Sequence, residues 1–311
     1  MKGPWARRGK ERERMRRRIL ALLLVALFAA APALAAEKFA VGSKTFAEQL
    51  VLGKMGVAIM KDLGYQVEDR VPLGGTAILR QALTSNQIQG YFEYTGTAAT
   101  VFFKEKGPFP TPEATYDFVR EKDAKNGLAW LARLPLNNTY CLMMRAADAE
   151  KNGIRSISDL ARFVEKDPKA LKMGVTPEFL VRPDGLPKLR TTYALKLDAK
   201  NVVQMEPGLI YLALKDGSLD IGIGFSTDGR IRAYNLAVLT DDKIMFPSYN
   251  PAFVVRKEIL DRNPALAAPF GKLAKVLDDE AITELNFQVA EKKQDPAAVA
   301  EAFLKKHQII R

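Results

Sequence analysis

Several short stretches of this 311-residue chain carry residue types that could do chemistry. Gly42-Ser43-Lys44-Thr45 ends like a phosphate-binding loop. Lys44 does not directly follow a glycine, however, and Glu37 stands where the first glycine of that motif belongs. What remains is an anion-friendly corner, in which a strand end, a loop and a helix start meet around Lys44. Gly224-Phe225-Ser226-Thr227-Asp228 has the outline of a nucleophile elbow, with Asp228 in the place of the second glycine. The sole histidine is His307, near the end of the chain, and the sole cysteine is Cys141. That leaves Ser226 without a base, zinc without a ligand cluster and Cys141 without an internal disulfide partner. Neither a metal nor a cofactor is expected.

Other candidates bind rather than react. Pro72-Leu73-Gly74-Gly75-Thr76 is a turn into a helix start. Gly90 to Thr97 (GYFEYTGT) puts an aromatic ring and two hydroxyls where a strand ends and a helix begins. That is the ligand edge of an α/β sheet. Tyr140, Tyr211, Phe225 and Tyr249 stand at similar junctions. For each of these rings the residues alone leave core and site open.

The elements that must position them alternate. Phe39–Gly42 reads as a short strand. Thr45-Phe46-Ala47-Glu48 fits a capping box, opening a helix that stops at Gly64. Tyr65–Val71, a helix capped by Thr76 and running to about Ser85, and Ile88–Glu93 follow, and Thr111-Pro112-Glu113 starts another helix. The rhythm continues through Tyr140–Arg145, Ser158–Lys166, Lys172–Val175, Val202–Met205, Gly208–Lys215 and Leu219–Gly224, with helices at Asp278–Glu291 and Asp295–Lys306. Such alternation predicts an α/β fold with mostly parallel sheets. No repeat, low-complexity tract or flexible linker separates two domains, so crossings within the fold are expected near Leu136–Cys141 and Thr240–Pro247. These divide the chain into one lobe of 37–138 plus 247–311 and a second of 139–246, with a ligand cleft between them.

The formal charge of +11 is concentrated at the start: residues 1–36 hold nine Lys/Arg and two Asp/Glu, leaving 38 basic and 34 acidic residues beyond them. A nucleic-acid partner is therefore not expected. Arg16-Arg17-Arg18, the apolar run Ile19–Ala31 and the small residues around Ala33-Leu34-Ala35 read as a cleaved signal peptide over 1–35. Met15 marks an alternative start, with 1–14 an upstream extension. The apolar run is shorter than the roughly 20 residues a membrane-spanning helix needs. The mature chain is expected in the periplasm, as a monomer.

The runs LGGTAILRQALTSNQIQGYFEYTGT (73–97), GLIYLALKDGSLDIGIGFSTDGRI (208–231) and TDDKIMFPSYNPAFVVR (240–256) resemble the substrate-binding proteins of osmoprotectant ABC importers, the glycine betaine, choline and carnitine group. The resemblance covers essentially the whole mature chain, with EYTGT and STDGRI its specific blocks and FPSY in support. It implies a two-lobed type II periplasmic-binding-protein fold that closes on a quaternary-ammonium ligand and delivers it to a membrane permease. The family's aromatic cage maps onto Tyr94, Tyr140, Phe225 and Tyr249, with Phe225 where tyrosine is usual. Its carboxylate grips map onto Lys44, Thr97 and Arg182, the last in the FLVRPDG segment, and Asn138 is a further wall. Two other readings remain: the same fold holding another zwitterion such as ergothioneine, and a periplasmic enzyme, against which the missing catalytic histidine weighs.

Overall fold

The computed structural model describes residues 37–311 apart from Lys106 and Pro108, and the signal peptide expected over 1–35 lies outside the described residues. Two five-stranded sheets organise Lys38–Arg311. One contains β1 (Lys38–Gly42), β2 (Gln66–Arg70), β3 (Gly90–Tyr94), β4 (Leu128–Arg133) and, much later in the chain, β10 (Pro251–Arg256), in the order β2-β1-β3-β10-β4. The other contains β5 (Tyr140–Arg145), β6 (Met173–Val175), β7 (Val202–Gln204), β8 (Ile221–Phe225) and β9 (Leu236–Val238), in the order β7-β6-β8-β5-β9.

The two sheets follow one plan. In the first, β1, β2 and β3 are parallel, and β10 pairs antiparallel with both β3 and β4. In the second, β6, β7 and β8 are parallel, and β5 pairs antiparallel with both β8 and β9. Four strands of each sheet thus run one way and one is inserted the other way, in keeping with the mostly parallel α/β fold read from the sequence. The inserted strand is in each case the first strand after the chain has crossed from the other sheet. It enters at the cleft end and runs away from it, whereas the parallel strands finish at the cleft.

The central strands are mostly apolar because they are covered on both faces. Phe39 and Val41 of β1 and Phe253 and Val255 of β10 face one core, while Ala40, Ala252 and Val254 face another. Helix α1 (Ala47–Asp62) fills the first core with α7 (Asp279–Ala290) and α8 (Pro296–Lys306). Helices α2 (Thr76–Thr84) and α3 (Pro112–Ala124) cover the opposite face. In the second sheet, α4 (Ile157–Lys166), α5 (Pro177–Val181) and α6 (Pro207–Lys215) pack a single core around Leu142, Met173, Ile221 and Ile223.

The local start and stop signals have mixed outcomes. Thr111 caps α3 by accepting from Ala114 N–H at 3.1 Å, as its sequence suggests. Gly64 ends α1 with φ +88°, a conformation that costs glycine little. The capping box expected at Thr45 and Glu48 does not form. Phe46 occupies the cap position with no side-chain bond, and Glu48 turns inward instead. Thr76 does not cap its helix either: it is the first helical residue, and Gly75 at the cap position has no side chain to offer a bond.

Two segments connect the sheets, between Arg133 and Tyr140 and between Val238 and Pro251. They are bonded to each other: Asn138 N–H donates to the Tyr249 carbonyl at 3.1 Å, and Tyr249 N–H to Asn137 Oδ1 at 2.7 Å.

Candidate functional site

The strand plan brings four rings together. Tyr94 is the last residue of β3 and lies opposite Pro251, next to which Tyr249 leads into β10. Phe225 is the last residue of β8 and lies opposite Tyr140, the first of β5. Each sheet therefore delivers one ring from a finishing strand and one from an entering strand. All four line a cavity of about 180 Å³. Tyr140 lies 5.2 Å from Phe225 and 5.6 Å from Tyr249 between ring centroids, meeting the latter edge-on at 86°. Gly96 has to be glycine here, because a Cβ would come within 2.7 Å of the Ser248 carbonyl and 2.8 Å of the Tyr249 ring.

All eight residues singled out from the sequence line this one cavity: Tyr94, Tyr140, Phe225, Tyr249, Lys44, Thr97, Asn138 and Arg182. Lys44 comes from the loop after β1, Thr97 from the helical turn after β3, and Arg182 from the end of α5. Around them stand the first residues of α2, α5 and α6, namely Thr76, Pro177 and Pro207. Backbone N–H groups at helix starts favour negative charge nearby.

Both cations are engaged with the protein. Lys44 Nζ pairs with Glu93 at 2.6 Å and stands 5.2 Å over the Tyr94 ring. Arg182 holds Asp184 through Nε at 2.8 Å and Nη2 at 2.7 Å, Glu178 through Nη1 at 2.9 Å, and Thr97 Oγ1 through Nη2 at 3.3 Å. Its guanidinium carbon lies 5.4 Å over the Tyr140 ring. Burial opposes ionisation of Asp184, but the Arg182 guanidinium outweighs it, helped by hydrogen bonds from Tyr249 and Thr100, and holds the carboxyl below its ordinary range. Burial likewise works against ionised Glu178, yet Lys44 and Arg182 lower its pKa on balance. Lys44 keeps further N–H groups beyond the one given to Glu93, and Arg182 keeps a second Nη1 hydrogen. A small carboxylate in the cavity could take both.

The sequence did not single out Phe46, Glu48, Glu178 or Asp184. Phe46 is a fifth ring on the cavity wall, stacked 4.7 Å from Phe225 and 6.2 Å from Tyr94. Its only sequence signal was its place at the start of α1. Glu48 lies behind the wall, accepting from Tyr94 and from Asn138 at 2.8 Å each. Tyr211, one of the rings left open, is core: it is buried, its hydroxyl oxygen accepts from the Phe225 backbone N–H at 2.9 Å, and it lies under Arg230. Ser226 bonds the crossing segment through the Asn137 carbonyl at 2.9 Å, which is a structural contact.

Comparison with known proteins comes to the same place. Residues 38–306 match the family model described as the substrate binding domain of ABC-type glycine betaine transport system. A glycine-betaine-binding protein of Pseudomonas aeruginosa is 39% identical over 300 residues, spanning 94% of this chain and 95% of the relative. The glycine betaine-binding protein YehZ of Escherichia coli is 31% identical, spanning 88% and 92%. Among solved structures, a glycine betaine/carnitine/choline ABC transporter protein superposes with a TM-score of 0.68 at 30% identity, covering 87% of this chain and 99% of that one.

Proposed function

Because the chain belongs to the family of substrate-binding domains of ABC-type glycine betaine transport systems, we propose that it captures a small quaternary-ammonium solute such as glycine betaine in this cavity and hands it unchanged to the importer's permease. The observation that carries the reading is the convergence of Tyr94, Tyr140, Phe225 and Tyr249, two from each sheet, on a cavity that also holds Lys44 and Arg182.

The chemistry follows from the ligand. A trimethylammonium group has no N–H to donate and a diffuse positive charge, so ring faces suit it better than a hydrogen-bond acceptor. Each cation–π contact contributes about 0.5–2 kcal/mol, depending on desolvation. The ligand's carboxylate takes the spare N–H groups of Lys44 and Arg182, with the Thr97 hydroxyl beside them. With rings on both sheets, the ligand binds best when the lobes are together, and its differential affinity favours that state. No step in this cycle makes or breaks a covalent bond. The protein acts as a monomer outside the cytoplasm, released into the periplasm by cleavage after Ala35. Ergothioneine is the less favoured ligand, since the two relatives above take their names from glycine betaine.

Calorimetry of the mature chain against glycine betaine, choline, carnitine and proline betaine tests the reading. Saturable binding of at least one, with recovery of unchanged ligand, is the expected result. Failure of all four, or turnover of any, overturns it.

A further inference from the structure

Beneath the aromatic wall, in the first turn of α1, Glu48 is buried. Oε1 accepts from Tyr94 Oη and Asn138 Nδ2, each at 2.8 Å, and Oε2 accepts from Thr227 Oγ1 at 2.6 Å and Asn286 Nδ2 at 3.2 Å. The donors come from β3, a crossing segment, the loop after β8 in the other lobe, and α7. An amide nitrogen can only donate, and both hydroxyls are free to donate, so two hydrogens reach each oxygen. That pattern suits a carboxylate; a carboxylic acid would bring a fifth hydrogen into a place already supplied with four. Among the described residues no Lys or Arg forms an ion pair with Glu48. Burial raises its pKa, and the bonds from Thr227, Tyr94, Asn286 and Asn138 oppose that rise.

The charges around the cavity then do not balance. Lys44 and Arg182 face Glu93, Glu178, Asp184 and Glu48, while the nearby Arg230 is matched by Asp228. Four carboxylates thus stand against two cations, and Glu48, at the hydroxyl end of the Tyr94 ring, is the one that no ion pair reaches among the described residues. A phenol that donates to a carboxylate has a more electron-rich face, which strengthens its attraction for a cation.

We propose that Glu48 is ionised and is the residue that makes this cavity prefer a full positive charge over a neutral group of the same shape. Its bond to Thr227 also ties that preference to the approach of the second lobe. The inference rests on the reading of the cavity as a quaternary-ammonium site.

Choline and its tert-butyl isostere, in which carbon replaces the quaternary nitrogen, separate charge from shape. Affinities of both are measured for the full-length mature protein and for Glu48→Gln and Glu48→Asp. The wild-type protein should prefer choline. Glu48→Gln should lose about tenfold in choline affinity, the scale of one charge acting inside a protein, and leave the isostere within about twofold. Glu48→Asp should keep the preference for choline. Parallel loss of both ligands in Glu48→Gln, or an unchanged preference, overturns the role of Glu48. Absence of any preference in the wild-type protein overturns the site reading itself. Should Glu48→Gln not fold, the side-chain carboxyl ¹³C signal of Glu48 in wild-type protein at neutral pH decides: an ionised carboxylate supports the proposal and a protonated acid overturns it.

Discussion

Tyr249 donates its phenolic hydrogen to Asp184 at 2.5 Å, and Asp184 is the carboxylate that Arg182 holds through both Nε and Nη2. Tyr249 belongs to the segment returning to the first sheet, and Asp184 to the lobe of the second. One carboxylate therefore fixes the tilt of a ring in one lobe and the position of a cation in the other. Thr100 adds a third bond to it at 3.0 Å.

Removing only the phenolic hydroxyl tests what that bond does for binding. Tyr249→Phe keeps the ring face and should shift betaine affinity by less than about 1 kcal/mol, while lowering stability by about 1–3 kcal/mol through the lost buried bond. Tyr249→Ala should cost more than Tyr249→Phe in affinity. Calorimetry and thermal melts on both variants check this. An affinity loss in the phenylalanine variant equal to that of alanine would show that the hydroxyl, by fixing ring tilt, matters more than the face.

Arg182→Ala is a poor probe of the ligand's carboxylate, because it strands a buried anion. With Asp184 left unpaired, stability should fall by about 3–5 kcal/mol. The double variant Arg182→Met, Asp184→Asn removes both charges and should recover part of that loss. In it, betaine affinity should fall by about 1.5–3 kcal/mol while choline, which has no carboxylate, loses much less. Equal losses for the two ligands would make Arg182 a structural residue alone.

Phe225 and Phe46 stack at 4.7 Å, so neither ring acts alone. Phe225→Tyr presents nearly the same face and should change betaine affinity by less than about 1 kcal/mol. Phe225→Ala should cost about 1–3 kcal/mol. Phe46→Ala should weaken binding as well, and the double-mutant cycle should show a coupling of about 0.5–1.5 kcal/mol. Additive losses in calorimetry would mean that Phe46 packs beside the cage without supporting it.

Much of this arrangement is legible locally, and the remainder is not for a physical reason. Alternating apolar segments give strands and helices, and a strand end that carries an aromatic shows where a ligand edge lies. Tyr140–Arg145 and the Thr111 cap are read correctly for that reason. What periodicity does not contain is pairing between distant segments: Tyr94 meets Pro251 only because β10 returns from the other lobe to lie beside β3. The family resemblance, not spacing, brought Tyr94, Tyr140, Phe225 and Tyr249 into one set. Glu48 shows the failure most plainly. Thr45-x-x-Glu48 satisfies a helix-cap pattern, but four donors from distant parts of the chain compete for the same carboxylate and win. Phe46 was hidden in the same motif.

Asp184 and Glu48 should respond to pH with opposite signs. Asp184 has a folded-state pKa below its ordinary 3.8, so it contributes stability above that value and loses it as pH falls through the lower folded value. Glu48 has a folded-state pKa above its ordinary 4.5, so the contribution of its protonated form is fully present below 4.5 and is lost as pH rises through the raised value. Arg182, Tyr249 and Thr100 face the first carboxylate, and Thr227, Tyr94, Asn286 and Asn138 face the second. Denaturant titrations from about pH 3 to 7 separate them. Asp184→Asn should flatten the acid side of the stability curve. Glu48→Gln should change stability relative to wild type in the other direction, gaining on it as pH rises above 4.5 because the glutamine carries no ionisation cost. Two curves that stay parallel to wild type across that range would mean that neither carboxyl changes its proton affinity on folding, and the Arg182–Asp184 pair would then contribute no net electrostatic stability to the fold.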